Sequence, residues 1–134
     1  MTMGMNYLTW SKGEKQIARR AFDGAHEREY RDLLHKTREM ANGMREPADL
    51  WRLHDFLART LREIDEKYDY RYSVLTLVFC RLLCEGWLKI EELEGLCEDK
   101  LGEIQAYVQL AHKRSERAKQ QEQTGTDDDD AKPA

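Results

Sequence analysis

The sequence predicts an all-α protein in which a long antiparallel helical hairpin, the stalk, is joined to a small helical head, with about four helices in total. Charged residues make up 36% and hydrophobic residues 40% of the chain, with only 8 Gly and 2 Pro. Strand-rich folds need more turn residues than this. Aromatic residues are only 9% of the chain, so each subunit buries little core, and this favours a dimer.

The first helix begins at a predicted capping box. Ser11 and Glu14 can each satisfy a backbone N–H that the start of a helix leaves without a partner. Apolar residues then recur at helical spacing as far as Asn42-Gly43, a natural stop. Residues 1–10, before the box, are expected to form a flexible N-terminal arm.

Pro47 opens the second helix, because proline is tolerated in the first turn. A heptad-like seam follows at alternating four- and three-residue steps, formed by Leu50, His54, Leu57, Leu61, Ile64 and Tyr68. The short link to the first helix favours an antiparallel hairpin, so the stalk should span residues 11–68. We expect the seam, chiefly Leu50, Leu57, Leu61 and Ile64, to be the stalk surface along which two copies dimerise.

The remaining helices form the predicted head, residues 69–118. Asp69 can cap a helix over Tyr70–Glu85 that is apolar nearly all round, which indicates burial on several sides. An amphipathic stripe predicts a fourth helix through Ile90, Leu93, Cys97, Leu101, Ile104, Val108 and Ala111. Residues 119–134 have almost nothing apolar to bury and are expected to be a disordered acidic tail.

Several function classes are disfavoured. A net charge of −4 fits general nucleic-acid binding poorly. The apolar run Val74–Cys84 is too short to span a bilayer, and no signal peptide is evident, so we expect a cytoplasmic protein.

An enzyme is also disfavoured. Cys80, Cys84 and Cys97 lack the spacing of a zinc site and are interpreted as small buried hydrophobes. The sequence has no Gly-rich phosphate loop and no nucleophile elbow. We therefore predict no catalytic residues, no metal and no cofactor.

One constellation favours protein binding. Trp51, Asp55, Arg59 and Arg62 are spaced by four, four and three residues and so share one face of the second helix, beside the seam. Asp55 and Arg59 can also pair along the helix. A large aromatic residue beside charges is typical of an interaction hot spot. The alternative is that Trp51 packs against the first helix and the charges are ordinary surface.

This stretch resembles the cyanobacterial fluorescence recovery protein family. The matching strings are DLWRLHDFL at Asp49–Leu57, EIDEKYDYRYSVL at Glu63–Leu75 and LVFCRLLCEG at Leu77–Gly86. Weaker similarity continues through Glu91–Leu93 and Asp99–Lys100, so the resemblance covers roughly residues 10 to 110. It implies a small all-helical protein that dimerises through its stalk, carries no cofactor and is not an enzyme.

The resemblance also implies a partner. Members of the family bind the photoactivated orange carotenoid protein, mainly through its C-terminal domain, speed its return to the resting orange form and help to detach it from the phycobilisome. Trp51, His54 and Asp55 match the family's functional surface. The expected partners are therefore a second copy of the chain and the orange carotenoid protein or a related carotenoid-binding C-terminal domain homologue. The alternative is a helical interaction or chaperone-like scaffold with a different partner.

Three positions depart from the family pattern, which favours a divergent or non-cyanobacterial member. Leu61 stands where members carry a functional arginine, with Arg59 and Arg62 on either side. On the predicted head surface, Leu77 replaces an aromatic residue and Glu103 replaces a lysine. Leu61 and Leu77 suit buried helical positions, so the fold should survive. A reversed charge at Glu103 turns attraction to a partner's carboxylate into repulsion.

Overall fold

The computed structural model describes the backbone of residues 9–130 and the side chains of residues 9–122. It contains four α-helices, α1 (Lys12–Asn42), α2 (Pro47–Lys67), α3 (Leu75–Glu85) and α4 (Glu98–Asp130), with a 3₁₀ turn at Ile90–Leu93. Within residues 9–130 there is no β-strand, and the predicted all-α fold is confirmed.

The start of each stalk helix follows the local sequence. At α1, Ser11 Oγ accepts the Glu14 N–H at 3.1 Å and Glu14 Oε1 accepts the Ser11 N–H at 3.0 Å, so the capping box is confirmed. Pro47 lies in the first turn of α2. There the Asp49 carboxylate accepts the backbone N–H groups of Arg45 and Glu46 at 2.9 and 3.1 Å. These caps fix both ends of the short link between α1 and α2.

The hairpin is antiparallel, as expected. Lys67, the last residue of α2, reaches Glu29 in the middle of α1, so α2 runs back along α1 from the link. The face that α2 turns toward α1 is rotated from the predicted seam, and its half-buried and buried members are Leu53, Phe56, Leu57, Thr60, Ile64 and Lys67. Leu50, His54 and Leu61 remain exposed. The outer part of the seam is therefore free in the single chain.

The chain between α2 and α3 is a turn, where a helix starting at Tyr70 was predicted. Phe22 contacts Tyr68 and Tyr70 edge-on, with ring centroids 5.3 and 4.8 Å apart, and Tyr72 lies 5.6 Å from Trp10. Alternate tyrosines can face α1 in this way only where the backbone is not helical. The tyrosine contacts therefore outweigh local helix propensity, and α3 begins at Leu75.

The predicted fourth helix is also interrupted, because residues 94–97 are not helical and α4 begins at Glu98. Gly95 has φ of 104° and lies against Ile17 of α1, where an added Cβ would come within 2.4 Å of Ile17 Cδ1. Only glycine fits both constraints. The stripe from Ile90 to Ala111 is thus shared between a 3₁₀ turn and an α-helix.

The core lies where α3, α4 and the 3₁₀ turn pack on the N-terminal half of α1. Its fully buried side chains include Leu75, Phe79, Leu82, Leu93 and Ile104. Arg28 of α1 holds the turn in place, donating to the Trp87 carbonyl at 2.8 Å and to Glu92 at 3.0 Å.

Both predicted ends differ from the structure where it describes them. Trp10 is buried in the core, so the N-terminal arm cannot extend to residue 10; residues 1–8 lie outside the described part. At the other end α4 runs to Asp130, through most of the segment predicted to be disordered. The Glu, Lys, Gln and Ala residues at 116–122 have high helix propensity, which explains helix there without buried contacts.

Candidate protein-interaction site

Trp51, His54 and Asp55 form one connected group on the outer face of α2. The Trp51 side chain is 68% exposed and meets the edge of the His54 ring, with centroids 5.5 Å apart and planes at 77°. His54 Nδ1 lies 3.2 Å from Asp55 Oδ1. The alternative interpretation, in which Trp51 packs against α1, is wrong. The group offers an apolar plane and a carboxylate to a partner.

Arg59 and Arg62 extend this surface by one to two turns. The predicted Asp55–Arg59 pair does not form, because Asp55 faces His54. Within residues 9–122, neither arginine has a carboxylate within ion-pair distance. Together with Asp55 they border a shallow depression lined by Asp55, Ala58, Arg59, Arg62, Glu63 and Glu66. We call Trp51, His54, Asp55, Arg59 and Arg62 the stalk surface.

The seam and the head surface are more exposed than expected. Leu61 and Leu77 are 42% and 48% exposed, so the prediction that both are buried is wrong. For Leu61 the reason is the rotation of α2, which turns Ile64 inward and Leu61 outward. Leu50 is exposed, Leu57 is half-buried and Glu103 is half-buried.

A buried lysine that the sequence analysis missed joins the stalk to the head. Lys67 Nζ lies 2.6 Å from both Glu29 Oε2 and Glu85 Oε1, and its side chain is only 4% exposed. The Tyr68 hydroxyl donates to Glu29 Oε1 at 2.9 Å, and Arg81 donates to Glu85 at 2.9 Å. Burial works against ionisation of Glu85, but Lys67 and Arg81 outweigh it and lower its pKa. The cluster ties α1, α2 and α3 together at the base of the stalk.

A second buried lysine joins α4 to the start of α1. Lys100 Nζ donates to the Thr9 carbonyl at 2.7 Å and lies 3.0 Å from Glu14 Oε2, which also accepts the Cys97 N–H at 2.9 Å. The sequence offers one local sign of these two clusters, which is that a charged residue stands beside an apolar one at Glu29, Lys67, Glu85 and Lys100. Their partners lie far away in sequence, so spacing could not reveal them.

Glu14 makes the free energy of unfolding depend on pH in the acidic range. Burial raises its pKa, but the N–H groups of Ser11 and Cys97 and the Lys100 ammonium outweigh burial and hold its pKa at about 2. Its unfolded-state pKa is about 4.3, so the native state favours the carboxylate by roughly 3 kcal/mol. This contribution is present above the unfolded-state value and is lost as pH falls toward 2.

We therefore expect the free energy of unfolding to fall with acidification between about pH 5 and pH 2, and Glu14→Gln to flatten part of that fall. Denaturant titrations at a series of pH values measure this. An identical pH dependence in the two proteins would contradict the assignment.

The three cysteines differ in their burial. Cys80 is buried, and burial raises its pKa to about 11, whereas Cys84 and Cys97 are exposed, so the prediction of three buried thiols is wrong. Among the described residues, no three His, Cys, Asp or Glu side chains are placed to hold a metal ion. No helix in the described part of the chain is long and apolar enough to cross a membrane.

The comparisons with known proteins agree with the fold and with the sequence strings around the stalk surface. Residues 10–108 match the family model described as "Photoprotection regulator fluorescence recovery protein". The chain is 44% identical over 101 residues to the fluorescence recovery protein of Synechocystis sp., which covers 75% of this chain and 93% of that protein.

Solved structures agree as well. The Fremyella diplosiphon fluorescence recovery protein superposes with a TM-score of 0.73 at 46% identity, covering 75% of this chain and 99% of that one. The Synechocystis structure gives 0.72 at 42% identity with the same coverage. This chain therefore belongs to the fluorescence recovery protein family of photoprotection regulators.

Proposed function

We propose that this protein is a non-catalytic, dimeric, cytoplasmic regulator that binds the C-terminal domain of photoactivated orange carotenoid protein and accelerates its return to the resting orange form. The observation that carries the proposal is the stalk surface, with Trp51 standing exposed beside His54 and Asp55. Exposed tryptophan and arginine side chains that lack partners in the same chain are the usual anchors of a protein interface. Family membership supplies the photoprotective context.

The mechanism is differential binding. A binding protein accelerates a conversion only if it binds the transition state more tightly than the starting conformation. To accelerate the return to the orange form, the stalk surface must bind the transition state between the red and orange forms more tightly than it binds the red form. Arg59 and Arg62 can supply such a difference if carboxylates of the carotenoid protein come within reach only as it closes.

Dimerisation is supported by apolar side chains that a single chain leaves uncovered along the stalk. The exposed large apolar residues of α1 and α2 are Tyr30, Leu34, Leu50, Trp51 and Leu61. Large apolar side chains that stay exposed in the single chain favour burial against a partner. We propose that the seam residues Leu50, Leu57 and Leu61 pack against a second stalk. Ile64, which is buried in the single chain, would pack beneath them.

Sedimentation equilibrium is expected to give a mass of twice 15.9 kDa. The double variant Leu50→Glu/Leu61→Glu should sediment as a monomer, because it places like charges opposite one another in the interface. Arg52→Glu, an exposed change on the same helix, should leave the dimer intact. A 15.9 kDa species for the unmodified protein at micromolar concentration would contradict the dimer.

A scaffold with a different partner is the second candidate. It is favoured by Leu61, Leu77 and Glu103, which stand where the family resemblance implies arginine, an aromatic residue and lysine. Leu61 follows Arg59 by two residues in the sequence, and a leucine there cannot form the ion pairs that an arginine would offer to a partner.

Direct binding separates the two candidates. The labelled protein is titrated with orange carotenoid protein in darkness, with the same protein under blue-green light, and with its isolated C-terminal domain. The regulator is expected to bind the illuminated form and the C-terminal domain more tightly than the dark form. Equal weak binding in all three titrations would favour the scaffold.

A further inference from the structure

The distal part of α4 projects beyond the helical bundle. Every residue from 109 to 122 is exposed, whereas Val108, the preceding residue, and Ile104, one turn before Val108, contact the core. The family match ends at residue 108, and 75% of this chain already covers 99% of the Fremyella protein. The distal part of α4 is therefore an addition to the family fold.

One face of this addition carries side chains suited to binding. Tyr107, Leu110, Arg114 and Arg117 are separated by three, four and three residues, so they line a single face over three turns. Tyr107 and Leu110 are each about half exposed, and both arginines are exposed. We call these four residues the distal stripe.

Cations outnumber anions beside the stripe, ahead of the acidic residues Glu122 and Asp127–Asp130 that follow in the sequence. Residues 112–119 contain four cations, Lys113, Arg114, Arg117 and Lys119, and one anion, Glu116, in a chain whose net charge is −4. Within residues 9–122, none of these four cations has a carboxylate at ion-pair distance, unlike Lys36 and Arg31, which pair along α1. Their charges are therefore available to a partner.

We propose that the distal stripe is a docking surface for an acidic amphipathic helix of a partner protein. A partner helix lying along α4 would place apolar side chains against Tyr107 and Leu110. Its carboxylates would meet Arg114 and Arg117, whose planar guanidinium groups bind carboxylates in pairs of hydrogen bonds. A linear stripe on an isolated helix offers no pocket, so an elongated partner fits it better than a compact ligand.

Other occupants fit less well. A lipid bilayer requires a broader apolar face than two side chains provide. Nucleic acid is disfavoured by a chain with net negative charge and by the half-buried carboxylate of Glu103, one turn before Tyr107 on the same face.

This surface is separate from the stalk surface, because it lies on a different helix and three of its four residues lie beyond the family match. The two proposals can therefore fail independently. Trp51→Ala should leave distal-stripe binding unchanged, and distal-stripe variants should leave binding of the illuminated carotenoid protein unchanged.

The test uses a fluorescein-labelled synthetic peptide that forms a helix with leucine on one face and glutamate beside it. Fluorescence anisotropy with the full chain should show binding that weakens with added salt. Arg114→Glu/Arg117→Glu is expected to weaken binding by about tenfold or more, because repulsion replaces attraction. Tyr107→Ala/Leu110→Ala should also weaken it, and circular dichroism should show unchanged helix content for both.

The matched control is Lys12→Glu/Lys119→Glu, which changes the net charge equally but lies off the stripe, since Lys119 is two positions beyond Arg117 on a helix. It should weaken binding less than about threefold, through net charge alone. Four outcomes would overturn the proposal: no binding of the peptide, equal weakening by the control, tighter binding to phosphatidylglycerol vesicles or duplex DNA, or self-association that Arg114→Glu/Arg117→Glu abolishes.

Discussion

Replacing Lys67 with methionine is expected to lower the free energy of unfolding by about 3–5 kcal/mol. Lys67 Nζ is the shared cation of Glu29 and Glu85, at 2.6 Å from each, and its side chain is 4% exposed. Methionine fills similar space but leaves the buried Glu29 carboxylate without its cation, whereas the more exposed Glu85 keeps its pair with Arg81. The loss is therefore the cost of unpaired buried charge and not of a cavity.

Urea denaturation at neutral pH measures this loss, and Lys36→Met is the control. Lys36 pairs with Asp32 at 2.8 Å on the exposed face of α1, and such pairs contribute less than about 1 kcal/mol. Adding Glu29→Gln to Lys67→Met should recover part of the stability, because one unpaired charge is removed. A loss below about 1 kcal/mol for Lys67→Met would show that the cluster is hydrated and does not hold the head on the stalk.

Trp51→Ala is expected to weaken binding to the illuminated orange carotenoid protein by about 2 kcal/mol or more, roughly thirtyfold in Kd. The indole is 68% exposed in the single chain and contacts only the edge of His54 among the ring contacts of the described residues. Its truncation should therefore change stability by less than about 0.5 kcal/mol. Trp51→Ala is thus expected to weaken binding strongly while leaving the free energy of unfolding nearly unchanged.

Arg31→Ala is the control for Trp51→Ala. Arg31 lies on α1, its side chain is 75% exposed, and it pairs with Glu27 one turn earlier on the same helix. The change should leave both binding and stability nearly unchanged. If both variants weaken binding equally, the contact depends on the general charge of the stalk and not on the tryptophan.

Local patterns predicted the features that depend on residues close in sequence. The capping box at Ser11 and Glu14, the end of α1 at Asn42 and the start of α2 at Pro47 all follow from neighbours within a few positions. The start of α3 and the break between the 3₁₀ turn and α4 at Gly95 do not follow from neighbouring residues. They are set by Tyr70 on Phe22 and by Gly95 against Ile17, contacts between segments distant in sequence.

The same division holds for the candidate site. Helical spacing placed Trp51, Asp55, Arg59 and Arg62 on one face of α2, but it did not show which face α1 would cover. That depends on Ile64 and Lys67, which turn inward to meet the core and Glu29. The resulting rotation exposes Leu61. The Asp55–Arg59 pair is absent for a different reason, because the Asp55 carboxylate faces His54. The structure thus places the four residues on one exposed face of α2, as predicted, but without the predicted pair between Asp55 and Arg59.

The recovery rate of illuminated orange carotenoid protein tests the central claim most directly. The red form is generated by strong light, this protein is added to saturation, and the decay from red to orange is followed by absorbance in darkness. We expect a faster decay with the unmodified protein and a much smaller acceleration with Trp51→Ala. A decay rate unchanged at saturating concentration would contradict the proposed function.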